Sequence, residues 1–236
     1  MRIYVIIAGI LYLGCISTYA QEHTPETSAA EVRLHIVSTL PGKPHPVPEV
    51  AWLSPLPGMP TLPFEPHSHY TLLQKNRMFT PHLLVIPVGS AVQFPNADPF
   101  FHNVFSLFDG KRFDLGLYEA GSSKSVSFSK EGVSYIFCNI HPDMSAVILA
   151  LSTPLYAVAD PQGFFLIQSV PPGEYELHLW VEGVPQPTLN QLRRRVRIQS
   201  GLTDLGEVGI PIPAKRNGGH SDMFGKTYDK DTKSIY

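Results

Sequence analysis

The sequence predicts an all-β protein on three observations. Its 23 prolines and 18 glycines break the chain into short runs. Those runs are rich in β-branched and aromatic residues, several of which alternate with polar ones. No amphipathic helix of ordinary length interrupts residues 69–151. Strands of that length and spacing predict antiparallel sandwiches or a Greek-key barrel. Hydrophobic residues make up 43% of the 236 and charged residues only 16%, enough apolar material for packed cores. The formal net charge of −2 and pI near 6.5 provide no electrostatic attraction for nucleic acid or an anionic membrane.

Residues 1–20 read as an export signal, in which Arg2 precedes an apolar stretch from Ile3 to about Ile16. Thr18-Tyr19-Ala20 places small residues where a signal peptidase inspects them, which predicts cleavage after Ala20. The competing expectation is lipidation at Cys15, at the end of Leu13-Gly14-Cys15, although Tyr12 stands where a lipobox wants Leu. The apolar stretch is short for a membrane span, which needs about 20 residues, and no other segment reads as one. A periplasmic or secreted protein with no integral membrane segment after cleavage is expected. Its mature form would then hold a single cysteine, Cys138, in a compartment where cysteines normally pair. Metal ligation would explain such a thiol; burial as a small hydrophobe is the plain alternative.

A polar stretch over 21–30 leads to strand material at Val32–Val37 and Val50–Leu53, separated by a proline-rich turn. Residues 55–68 read as a connection. Strands follow at Tyr70–Gln74, His82–Val88, Ser90–Phe94, Lys124–Phe128, Val133–Phe137 and Ala146–Leu151. A second β module spans 153–212, with strands at Leu155–Val158, Gly163–Ile167, Tyr175–Trp180, Arg195–Ile198 and Gly206–Ile210. The polar tail over 213–236 predicts disorder.

The chemistry concentrates in Cys138-Asn139-Ile140-His141-Pro142-Asp143-Met144, a thiolate, an imidazole and a thioether on one loop between two strands. A second imidazole, His102, lies upstream just after another expected strand. Any one of these side chains alone is more often structural than a ligand. Together, two imidazoles, a thiolate and a weak thioether are the donors of a blue-copper centre. Thiolate and thioether favour Cu(I), while imidazole accepts either oxidation state, so a compromise geometry lowers reorganisation on electron transfer. Zinc could use Cys138 and the two histidines, but Met is a poor zinc ligand and no second Cys-x-x-Cys pair is present.

These stretches resemble the cupredoxins, especially amicyanin and the plastocyanin-like methylamine-utilisation proteins. The likeness lies in Asn96-x-Asp98…His102-Asn103-Val104-Phe105-Ser106 and Cys138-x-x-His141-Pro142-x-Met144, within residues 69–152. It implies one mononuclear type 1 copper, with His102, Cys138 and His141 as its trigonal plane and Met144 as its long axial ligand. It also implies that Asn103 steadies the Cys138 loop by hydrogen bonds. The electron would leave through His141 at an apolar patch that Phe100, Phe101 and Pro142 help to form.

The second module resembles a carboxypeptidase regulatory-like domain, a small transthyretin-type β-sandwich. The residues that carry this are Asp160-x-x-Gly163-x-Phe165-x-Ile167-x-x-Val170-Pro171-Pro172-Gly173-x-Tyr175-x-Leu177-x-x-Trp180. Such a sandwich usually opens with strands like Val32–Val37 and Val50–Leu53 and a turn like Gly42-Lys43-Pro44. Residues 31–57 are therefore expected to complete the module of 153–212, with the copper domain inserted between; the alternative has them join the copper domain's sheet.

Other signals carry less. His67-Ser68-His69 is a single His-x-His pair in a proline-rich connection, and His82, His178 and His220 have no partners at ligand spacing. Arg193-Arg194-Arg195-x-Arg197 reads as a solvated strand edge, or as a docking site for an acidic partner. Neither a phosphate-binding Gly-rich loop nor a Ser-His-Asp arrangement is supported. The expected protein is an exported one-electron carrier and no enzyme, meeting an unidentified redox partner protein. A copper-handling, storage or sensing protein and an adhesion or carbohydrate-binding protein are the alternatives.

Overall fold

The computed structural model describes residues 29–40, 47–107 and 110–212. The export signal with Cys15, the turn at Gly42-Lys43-Pro44, His220 and the tail lie outside the described residues. The described residues are almost wholly β. In chain order they form β1 (Ala30–Ser38), β2 (Glu49–Pro55), β3 (Tyr70–Thr71), β4 (Leu73–Lys75), β5 (Met78–Thr80), β6 (Leu83–Pro87), β7 (Ala91–Pro95) and β8 (His102–Ser106). Then come β9 (Phe113–Tyr118), β10 (Ser123–Ser127), β11 (Gly132–Phe137), β12 (Ser145–Leu151), β13 (Tyr156–Val158), β14 (Phe164–Val170) and β15 (Gly173–Val181). The five-residue helix α1 (Gln186–Asn190), opened by Pro185 and Pro187, precedes β16 (Arg194–Ile198) and β17 (Leu202–Ile210).

Four sheets and one hairpin result. The middle of the chain gives a five-stranded sheet, β6-β12-β11-β8-β9, and a three-stranded sheet, β10-β7-β3. Residues of both share one core, in which Phe94, Val92, Ile86, Ile136, Ile148 and Phe128 are almost fully buried. The chain's two ends meet in the other pair of sheets, β14-β1-β17 and β13-β2-β15-β16. There β1 pairs with β14 and β17, and β2 pairs with β13 and β15. The sheets are mixed rather than antiparallel throughout: β12 with β6, β7 with β3 and β1 with β17 run parallel. Each parallel pair joins strands far apart in the chain, as parallel pairing requires.

Strand β12 belongs to both cores, because alternate residues of a strand point to opposite faces. Ala146, Ile148 and Ala150 face the first core, whereas Val147, Leu149 and Leu151 join the second. The second core also holds Trp52, Tyr175, Leu177, Leu179 and Trp180 from β2 and β15, whose central residues are buried on both faces. That two-sided burial explains their unbroken apolar runs. The indole of Trp180 on β15 donates to the Tyr135 hydroxyl on β11 at 3.2 Å, joining the two halves.

The strand boundaries differ from the sequence expectation in a few places. Tyr70–Gln74 divides into β3 and β4, and β4 pairs with β5 in a hairpin while Gln74 still bridges Asn96 just past β7. Strands β5, β8 and β9 were not expected, and His102, expected just after a strand, instead opens β8. Strands β5 and β9 are short of continuous apolar residues, and β9 alternates around the positive-φ Gly116 (φ 62°). Among the described residues no helix is long and apolar enough to cross a membrane.

Candidate metal centre

Three candidate donors converge at one end of the first core. His102 opens β8, Cys138 directly follows β11, and His141 lies in the loop before β12. The Cys138 Sγ lies 3.8 Å from His102 Nδ1 and 3.7 Å from His141 Nδ1. All three donor atoms lie within 4.8 Å of one another, and among the described residues this is the single group of His, Cys, Asp or Glu so arranged. The spacing fits a metal ion. Bonds of about 2.3 Å to sulfur and about 2.0 Å to nitrogen, at a trigonal angle of about 120°, place sulfur and nitrogen about 3.7 Å apart. Cys138 and His102 have no exposed surface, and His141 is half-buried.

The loop that carries two of these donors is closed by its own main chain. Cys138 N–H donates to the Met144 carbonyl (3.4 Å), and Met144 N–H donates to the His141 carbonyl (3.0 Å). Met144 is fully buried in the same core as Cys138, as its place in the loop anticipates. The register Phe137↔Ser145 between β11 and β12 sets the ends of the loop. Pairing of Phe137 with Phe105 brings β8, and so His102, alongside.

Burial, helped by the nearby His102 and Arg77 and opposed by Asp98, pushes His141 down to about 4. At neutral pH its ring nitrogen therefore keeps a lone pair for a ligand. His102 Nε2 lies 2.8 Å from Asp98 Oδ2. Asp98 also accepts from the main-chain N–H groups of Asn76 (2.6 Å) and Arg77 (2.9 Å). Burial would raise its carboxyl, but the hydrogen bonds from Arg77, His102 and Asn76 together hold it below the ordinary carboxylate value.

Other expected contributors take definite places. The Asn103 amide donates to Asp114 Oδ1 at 2.6 Å, while its own oxygen is buried with no partner. The Phe100 ring lies 5.2 Å from the His102 ring and 5.6 Å from that of His141, and the Arg77 guanidinium sits 5.3 Å above it. Phe101 is 55% exposed and Pro142 half-buried. His67 stacks on Tyr70 at 4.2 Å, and its ring lies 5.9 Å from that of His69. His82 is not isolated, since Nε2 meets Glu182 at 2.7 Å and Nδ1 meets the Ser145 carbonyl at 3.0 Å. His178 stacks on Trp52. Of the arginine run, Arg195 and Arg197 stand opposite Glu176 and Glu174 on β15, and Arg197 reaches Glu174 at 3.1 Å.

Sequence reasoning quoted Asp98 inside a motif yet assigned it no task, and it passed over Arg77 and Gln74. Gln74 is fully buried and donates to the Tyr118 hydroxyl and the Phe94 carbonyl, bracing the wall next to the site. A buried amide in a polar-looking run carries no periodic signal.

No family model matches the chain, and no curated protein matches it. Solved structures do resemble part of it. A purple cupredoxin from Nitrosopumilus maritimus is 24% identical over 35% of this chain and 99% of that one, with a TM-score of 0.32. A copper-containing nitrite reductase from Thermus scotoductus SA-01 is 24% identical over 50% of this chain but only 28% of that one, with a TM-score of 0.34. A variant of amicyanin in its Cu(I) form is 16% identical over 35% of this chain and 81% of that one, with a TM-score of 0.33. TM-scores this low lend no weight to a function, which rests on the chain's own residues.

Proposed function

We propose that the chain is an exported type 1 copper protein that carries single electrons. The convergence of one thiolate and two imidazole nitrogens at trigonal separation carries this reading. His102, Cys138 and His141 would bind the copper, with Met144 as a weak axial ligand. Bound copper would supply reversible exchange between Cu(I) and Cu(II). The protein's part is to hold the donors still: His102 is tied down on its far side by Asp98, Cys138 is anchored at the end of β11, and Met144 is fixed in the core. Rigid donors reduce reorganisation when the charge changes, and the burial of Cys138 protects its thiol from oxidation. His141 alone of the three is partly exposed, so a redox partner protein would exchange electrons there, beside Phe100.

Full burial of two of the three donors, Cys138 and His102, favours retained copper over a storage or delivery role, because deeply held donors exchange metal slowly. In the same reading, residues 31–57 and 153–212 form a carboxypeptidase regulatory-like sandwich into which the copper domain, 69–152, is inserted. The pairing of β1 and β2 with strands after residue 153 supports that division. The sandwich would act as a scaffold, since its second core takes one face of β12.

The test is the optical spectrum of purified protein loaded with Cu(II). Intense thiolate-to-copper absorption is expected in the wild type and its loss in Cys138→Ser. A colourless protein that takes up zinc alone would overturn the reading.

A further inference from the structure

We infer that Asp98 is the positioning residue of the metal centre, fixing the tautomer and orientation of His102 and lowering the reduction potential of the metal by its negative charge. This rests on the copper reading for its redox half and on the protein alone for the rest.

Three N–H groups converge on two carboxylate oxygens. Asn76 N–H reaches Oδ1, while Arg77 N–H and the Nε2 of His102 reach Oδ2. Asp98 is only 5% exposed and His102 is not exposed at all. The main chain at Asp98 is held as well, because its N–H donates to Asn96 Oδ1 at 3.0 Å. The two main-chain partners can only donate, so both carboxylate oxygens act as acceptors. In the inferred arrangement the third bond comes from a proton on His102 Nε2, which leaves the Nδ1 lone pair on the side of Cys138 Sγ.

The source of the two main-chain donors is unusual. Asn76 and Arg77 have φ of 54° and 57° and form the two-residue turn of the β4–β5 hairpin, between the paired Lys75 and Met78. Left-handed conformations at both positions are typical of a tight hairpin turn, and here they present consecutive N–H groups to one carboxylate. The hairpin thus clamps Asp98, and Asp98 clamps His102. A carboxylate held on both oxygens cannot swing away to bind the metal itself, so its charge acts through the imidazole. Withdrawal of the Nε2 proton towards Asp98 makes Nδ1 more basic, which favours the higher oxidation state.

Asp98→Asn tests this with little change of shape. Asn offers one acceptor oxygen and one donor nitrogen where three N–H groups meet, so at least one bond is lost. The expected results are a higher reduction potential and about 10- to 100-fold weaker Cu(II) binding in competition with a chelator, with the thiolate-to-copper band retained. A potential that stays the same or falls overturns the redox half. The wild-type apoprotein is a second test that needs no metal and no variant. Nitrogen-15 NMR of the His102 ring should find Nε2 protonated, slow to exchange, and Nδ1 bare. A proton on Nδ1 overturns the positioning half. Failure of the wild type to bind Cu(II) would sink the copper reading, yet the NMR result would still decide the role of Asp98.

Discussion

The two halves of the molecule each bury one carboxylate on the edge of an apolar core, and they treat it in opposite ways. Asp98, beside the candidate metal centre, accepts two main-chain N–H bonds, meets His102 Nε2 at 2.8 Å and is held below its ordinary value. Glu49 opens β2 in the other half, is 6% exposed, and has one oxygen buried with no partner. Burial there pushes its carboxyl up to about 7, eased by nearby His35 and reinforced by Asp160. Burial acts to raise both carboxyls, and at Asp98 the hydrogen bonds it receives lower it again. The first half has converted buried polarity into a connected network at a site. The second has left it as a local cost inside a scaffold.

The strongest way to break this contrast is Asp98→Ala. It removes the charged acceptor shared by the buried His102 and the main-chain N–H groups of Asn76 and Arg77 and should cost about 4 kcal/mol, read as a fall in the urea midpoint of the apoprotein. A loss under about 1 kcal/mol would mean that the network contributes little to stability.

Glu49→Gln should act with the other sign. A carboxyl raised from 4.5 to about 7 binds its proton more tightly when folded, so stability falls as pH rises through that window and is level above it. The neutral amide removes that penalty. The variant should therefore be more stable than the wild type by about 2 kcal/mol at pH 8, and close to it at pH 4. Equal urea midpoints at both pH values would place Glu49 in contact with solvent or an unseen donor.

Smallest is the contact between the halves. Trp180→Phe keeps most of the buried ring but drops the bond to Tyr135, at a cost of about 1 kcal/mol. Should the thiolate-to-copper band of the loaded protein shift as well, the two halves are coupled more tightly than stacking sheets require.

Much of the candidate site was legible in the sequence for a reason of distance. Cys138, His141 and Met144 share one loop, so their spacing alone brings them near, and His102 was marked by its company with Asn96, Asp98 and Asn103. What escaped depended on contacts with no local signature. Asn76 and Arg77 carry no reading in the sequence, because the left-handed turn that aims their N–H groups at Asp98 exists only where β4 and β5 pair. The bond from the Asn103 amide to Asp114 escaped too, because Asp114 lies on a strand the sequence did not mark. Strands β5 and β9 escaped because each is paired along one edge only: β5 has three residues, and Gly116 interrupts the apolar positions of β9.

By itself the sequence determined the all-β class, because period-two runs between prolines and glycines can bury one face in no other way, and it determined the donor types of the site. Tertiary structure alone decided that β12 serves two cores at once. It alone decided which of two buried carboxylates keeps its charge. A residue's chemistry is carried by its own atoms, whereas its ionisation is set by donors that other strands bring to it, and those arrive only when the chain closes.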